Sequence, residues 1–480
     1  MDKIFNFDLL YIIYFLVPFL MVVLITAFQN IKNPVYIRRF SKGFFCFEAV
    51  MFFIATLFSN GFEIYIKNIH FSVDLYGKIL IYISIFTFLS FTYFSKTFIK
   101  FAKKQFYLIL ILLFGLLNLF IVADDIIVSF LLLFWLILTK FLISNIVQKT
   151  NSDKQKLKKQ FACDFVVYFL SVALVGYDFL RHFILNEIPF CFSTISKYFA
   201  HINDFAISVA FLGFMILIFG QFGILNIFSK YNKIFAKLPI YSVSINIFVQ
   251  FVAGVSLLFK VYQSFDYLFY QFQNEITLVL LFVMLYNTII SFKQNNILLN
   301  LNSIFTVNIF VGLFSVFAFS KIGSSFAFYY FVVLIVSYLP ILFVFSYLED
   351  KFNSKVIEDF KKINDKTKNI QMYLLFFLLN FAKMPISSTF LSFLILFLTI
   401  NSIEYDNIFL KSMPYVFLVC MILVGICVLN LVYKILIEPT EGDTNKHFLL
   451  KHQKIVLIVF VVFLYILFFA SQNFITDLKM

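Results

Sequence analysis

Three charged side chains stand inside long apolar runs: Glu48, Lys140 and Lys383. At the centre of a bilayer a charge costs about 2.5 to 3.5 kcal/mol on insertion scales, so each marks a functional position by default. A carboxyl and an amine that change charge state with a neighbour suit a proton relay; one structural ion pair between helices is the alternative, and the residues alone leave both open. Asp164 and Asp178 read as interfacial, and Lys260 as a snorkelling side chain ending its run. Gln221, Asn226, Asn246, Gln250, Asn300, Asn302, Asn308 and Asn380 can hydrogen-bond across helices or hold water, but amides carry no proton near neutral pH. His70, His182, His201, His447 and His452 fall in loops or at loop edges, so no histidine is expected in a mid-membrane relay. Cys46, Cys163, Cys191, Cys420 and Cys427 form no C-x-x-C pair, which indicates neither a disulfide framework nor a metal site. Without a phosphate loop, nucleophile elbow or H-E-x-x-H run, self-contained enzymology is not expected.

These residues are positioned by an almost uninterrupted series of apolar segments. At 62% hydrophobic, 13% charged and a mean hydropathy of +0.96, the 480 residues cannot form a soluble globule. The chain reads as an all-α polytopic membrane protein with spans near 8–27, 43–60, 79–95, 105–123, 126–147, 161–180, 205–228, 239–262, 276–292, 297–319, 325–347, 371–400, 413–433 and 455–471. The first is a retained span, since no A-x-A-like end follows it. The odd-numbered loops carry 27 of the 38 basic residues and the even loops with the termini carry 9, Lys140 and Lys383 being inside spans. This alternation puts the odd loops on the matrix or cytoplasmic side and both termini on the other. The net charge of +13 is thereby a matter of topology, and no nucleic-acid partner is indicated.

One segment departs from the series. Residues 371–400 are too long for one straight span and carry Lys383 and Pro385 near the middle, which predicts two half-helices facing a polar path. Span 7, with Gly213, Gly220 and Gly223, is expected to be interrupted as well. Spans 4–8 and 9–13 then read as two five-helix repeats, inverted because five is odd, with discontinuous helices 7 and 12. The expected divisions are 1–104, 105–262, 263–435 and 436–480. The 75 Phe and 26 Tyr against 13 Gly and 8 Pro suggest an AT-rich genome, organellar or bacterial.

The broken span resembles the antiporter-like membrane subunits of respiratory complex I, most closely the one called subunit 2 in mitochondria and N in bacteria. That family has an Asp-Leu near a matrix loop, followed by a span ending in Ser-Leu-Ala-Gly-Ile-Pro-Pro-x-x-Gly-Phe-x-x-Lys. Here Asp359-Phe360 precedes Asn380 through Phe393, where Pro385 and Phe390 match, Ile386 replaces the second Pro, Thr389 the Gly, and Phe393 the lysine. A second patch, Pro239 to Lys260, is similar to the family's eighth span; its lysine falls at Phe251, beside Gln250, and the span-7 lysine near Gln221. A third, Ile297 to Ile304, puts the family's following His at Thr306, and the span-5 glutamate aligns near Thr139 and Lys140.

The resemblance implies proton translocation within the membrane arm of complex I, beside its other membrane subunits and phospholipids such as cardiolipin, with no NADH, flavin or iron–sulfur cluster bound by this chain. It implies the mitochondrial inner membrane, with the bacterial plasma membrane as alternative. Two versions follow from the replaced positions: a relay rebuilt on Glu48, Lys140, Gln221, Gln250 and Lys383, or a structural spacer blocked by Phe251 and Phe393. The replacements favour impaired pumping. A different class, a fourteen-span lipid-oligosaccharide flippase or drug exporter, would place both termini in the cytoplasm.

Overall fold

A computed structural model describes residues 5–27, 34–58, 62–66, 69–98, 104–147, 151–176, 190–196, 204–223, 238–317, 321–362, 368–401, 408–437 and 449–478. Its helices are α1 (Phe5–Ala27), α2 (Pro34–Phe58), α3 (Leu75–Phe98), α4 (Lys104–Val122), α5 (Ile126–Val147), α6 (Asn151–Val175), α7 (Asp204–Gln221), α8 (Ile240–Gln271), α9 (Gln273–Lys293), α10 (Ile297–Phe317), α11 (Lys321–Phe352), α12 (Lys368–Phe381), α13 (Ser388–Asn401), α14 (Ile408–Val432) and α15 (Lys451–Leu478). A helix, or for 371–400 a pair of helices, stands at every apolar run, and among the described residues ten are long and apolar enough to cross a membrane. The protein is a helical, multi-pass membrane protein.

Some boundaries differ from the hydropathy reading for a local reason. α6 starts ten residues before the apolar run because Lys154, Gln155, Lys156, Leu157, Lys158 and Lys159 are all good helix formers. α8 runs on to Gln271 through a kink at Phe265, where φ is −129° and ψ 29°. The connection after α2 is not all loop: among the described residues β1 (Phe62–Ile66) and β2 (Ile69–Val73) pair antiparallel in a short hairpin beside the helices. Pro18, Pro340 and Pro414 sit inside continuous helices, so proline alone does not mark a break.

Residues Met1–Gln221 with Ile245–Leu268 form one compact unit, and Phe222–Ser244 with Phe269–Met480 another. In lipid the hydrophobic effect does not drive helices together, so packing geometry must. The first unit uses phenylalanine edges for this. Phe114 of α4 meets Phe45 of α2 at 5.2 Å and Phe88 of α3 at 5.4 Å, and Phe88 reaches Phe248 of α8 at 5.9 Å, all close to edge-to-face. In the second unit α11 is the centre: every residue from Ala327 to Leu348 is buried, as expected for a helix apolar all round. Gly312 of α10 admits Phe331 of α11; a Cβ there would lie 2.5 Å from its ring.

Candidate functional site

The expected break lies between α12 and α13. Ala382 N donates to Leu378 O (2.8 Å), Lys383 N to Asn380 O (3.0 Å) and Met384 N to Leu379 O (3.2 Å). The last two are the paired bonds of a Schellman ending, with Lys383 in the left-handed position at φ 57°. Glycine usually takes that position; a side chain there costs about 1 to 2 kcal/mol. A lysine retained in this conformation points to a role for its side chain. The chain then turns outward, with Pro385 and Ile386 exposed. Ser387 Oγ caps α13 by accepting from Phe390 N (3.1 Å). Asn380 fastens the two half-helices: Thr389 Oγ1 donates to its Oδ1 (2.9 Å) and its carbonyl, and Ser388 lies at 3.4 Å.

The Lys383 side chain turns inward. Its ammonium donates to Asn308 Oδ1 of α10 and to the Met421 sulfur of α14. Tyr330 of α11 donates to the same Asn308 oxygen at 3.0 Å. The ammonium lies 4.9 Å from the Phe393 ring centre and 5.7 Å from that of Tyr330, over the electron-rich faces. No carboxylate pairs with it among the described residues. The Lys383 ammonium thus adjoins the Phe393 ring, ten residues further along the chain. Ring stacking holds the break: Phe305 stacks on Tyr338 at 4.1 Å, and Tyr338 on Phe381, the last residue of α12, at 5.4 Å. Thr306 bonds its own helix at Asn302 O (2.8 Å) and takes no part.

In the first unit Lys140 is buried on α5 and interacts electrostatically with Asp164 of α6. Asp164 is half-buried on α6, and its charge acts on Lys140. Lys140 does not pair with Glu48. Both Glu48 oxygens are buried with no hydrogen-bond partner among the described residues, and Tyr14 is the group its charge acts on. Asn246 of α8 donates to Ser144 of α5 at 2.7 Å, beside Lys140's turn. Gln250 is half-buried and Phe251 fully buried on α8; Gln221 is buried at the end of α7.

α7 ends at Gln221, with Gly223 at φ 72° just beyond it. Gly220 lies in its last turn, whereas Gly213 is a packing residue, where a Cβ would sit 2.9 Å from Val175 and 3.0 Å from Ser171 O of α6. Asp178, Asn226, His182, His201 and His447 lie outside the described residues. Lys260 does not snorkel: α8 continues past it, and its ammonium donates to Phe120 O (2.7 Å) and Ala123 O (2.6 Å) at the end of α4.

Hydropathy missed two polar clusters. Glu349 of α11 accepts from Ile240 N (2.7 Å) and pairs with Lys355 at 3.3 Å, while Lys355 donates to Leu238 O, tying the start of α8 to the end of α11. His70 of β2 pairs with Asp124 at 2.7 Å, and Ser193 donates to the same carboxylate. Strand geometry buries a histidine that composition leaves in a loop.

Neither a protein-family model nor a curated protein matches the sequence. Solved structures do. A chain of respiratory complex I from Thermus thermophilus with bound NADH superposes with a TM-score of 0.80 at 15% identity, over 97% of this chain and 97% of that one. A chain of an archaeal respiratory membrane complex, the membrane-bound sulfane sulfur reductase, gives 0.80 at 11% identity over 98% and 97%. A chain of the Mrp complex from a Dietzia species gives 0.77 at 11% identity over 100% and 96%. At these identities the likeness establishes a shared fold over the whole length.

Proposed function

We propose that this chain is an antiporter-like, proton-translocating subunit in the membrane arm of a respiratory complex of the complex I type, and that Lys383 is the proton-bearing group of its second unit. The observation that carries this reading is the Lys383 ammonium, held by Asn308 and seated 4.9 Å from the ring of Phe393, where the resemblance implies a lysine. An amine can take up and release a proton, as the amides around it cannot, and a backbone cost is met to keep it there. In the first unit the buried Lys140 of α5, on which the charge of Asp164 of α6 acts, is the corresponding group. Their couple replaces the relay between Glu48 and Lys140, whose side chains are not bonded to each other.

The shared fold with chains of respiratory and Mrp complexes supports this class of function. The subunit passes energy from quinone reduction along neighbouring membrane subunits and binds neither NADH, flavin nor an iron–sulfur cluster itself. Its subunit type is closest to 2/N, its setting the mitochondrial inner membrane or an AT-rich bacterium's plasma membrane, with both termini opposite the basic loops and phospholipids such as cardiolipin around it. The test is co-purification: a tagged chain should draw out a large NADH-oxidising assembly. Recovery of a lone chain that transports lipid-linked sugars or drugs would overturn the proposal.

A further inference from the structure

His70, Asp124 and Cys191 are all buried, and one ligand atom from each lies within 4.8 Å of the other two. They come from three segments: strand β2, the turn between α4 and α5, and the stretch Phe190–Ser196. Backbone bonds hold these together before any ion arrives. Asp124 N donates to His70 O (3.1 Å), Phe192 N to Asp124 O (2.9 Å) and Ile126 N to Phe190 O (2.9 Å), and Asp125 bridges to Cys191. Ser193 fixes the Asp124 carboxylate through its N–H at 3.2 Å and its hydroxyl. Outer hydrogen bonds of this kind orient a carboxylate that ligates a metal.

We infer that His70 Nδ1, Asp124 Oδ2 and Cys191 Sγ form a binding site for a divalent transition metal, with zinc the best match to one nitrogen, one oxygen and one sulfur donor. Tetrahedral zinc with bonds of about 2.0 to 2.3 Å needs donors roughly 3.4 Å apart. His70 and Asp124, at 2.7 Å, must spread by under about 1 Å as the metal replaces the proton between them, while Cys191 closes in. Three protein donors leave a fourth position for water.

The charges close. A dication, the Asp124 carboxylate, a Cys191 thiolate and a neutral imidazole sum to zero. Lys260, held on Phe120 O and Ala123 O, is the nearby cation, and Asp74 acts on it together with Asp124. Asp125 is engaged separately, accepting from Val128 N at 2.9 Å at the start of α5. A Cys–His–Asp nucleophile is the competing chemistry. Cys191 is 3% exposed, which closes its sulfur to an incoming substrate. Sequence spacing gave no hint of the site because His70, Asp124 and Cys191 are separated by whole helices.

The experiment takes the full-length chain in detergent, stripped by chelator and reloaded with Zn²⁺ or Co²⁺. About one equivalent should survive desalting, and the cobalt form should show near-ultraviolet thiolate-to-metal charge transfer. Cys191→Ser leaves the His70–Asp124–Ser193 bonds in place, so it should keep its melting temperature, lose the charge-transfer band and bind zinc at least ~10-fold more weakly. Zinc should also raise the melting temperature of the unmutated chain, a measurement independent of any variant's folding. No retained metal, a Cys191→Ser chain that binds as well as the parent, or a melting temperature unchanged by zinc would each overturn the site.

Discussion

Replacing Lys383 by glycine separates what the side chain does from what it costs. Glycine relieves the left-handed backbone at φ 57°, worth about 1 to 2 kcal/mol, and removes an ammonium whose place in the bilayer costs about 2.5 to 3.5 kcal/mol. Against this stand a charge-assisted hydrogen bond of about 1.5 to 3 kcal/mol and ring contacts of up to about 2 kcal/mol. Asn308 Oδ1 keeps Tyr330 as donor at 3.0 Å, so no acceptor is orphaned. These figures nearly cancel, and Lys383→Gly should melt within a few degrees of the parent or slightly above it. Proton uptake by liposomes carrying the whole assembly, followed with a pH-sensitive dye during NADH oxidation, should nonetheless fall by this subunit's share. Adding Phe393→Lys to Lys383→Gly should restore it, since the ring already adjoins the ammonium's place. The reasoning fails if Lys383→Gly unfolds the chain, or if it pumps like the parent.

Asp164→Leu removes the carboxylate whose field acts on the buried Lys140 and should lower the melting temperature, while Asp164→Leu with Lys140→Met should recover most of the loss; thermal unfolding of the two variants in detergent decides. Glu48→Leu removes a buried carboxyl that makes no hydrogen bond among the described residues, so its melting temperature should hold or rise, and a drop would show an unseen partner. Gly312→Ala drives a methyl to 2.5 Å from the Phe331 ring and should cost about 1 to 3 kcal/mol, whereas Gly43→Ala, with nothing within 4 Å, should gain up to about 1 kcal/mol from helix propensity, both by the same melt. Tags on both termini should be cleaved by protease added to the face away from the basic loops; protection would invert the topology.

Hydropathy located the helices because the bilayer demands about twenty apolar residues per crossing and leaves few other patterns. The α5 run, 126–147, coincides with the helix Ile126–Val147. It was blind where a helix continues on polar residues, as at the start of α6, and where a connection pairs with itself, as at β1 and β2.

The break between α12 and α13 was legible too, since length and Pro385 together exceed what one span tolerates. Its chemistry was not. Along the chain Lys383 stands ten residues from Phe393, and alignment reads the lysine as absent from its place. The Schellman turn at Lys383 folds the side chain back, so that its ammonium rests over the Phe393 ring and on Asn308 of another helix. Sequence alone settled that this is a polytopic membrane protein with a broken helix carrying a lysine. Where charges meet was left to tertiary structure, because a long side chain on left-handed backbone can reach a site its position in the chain does not reveal. The same holds for His70 with Asp124, a strand and a turn brought together by tertiary folding across a distance that spacing cannot encode.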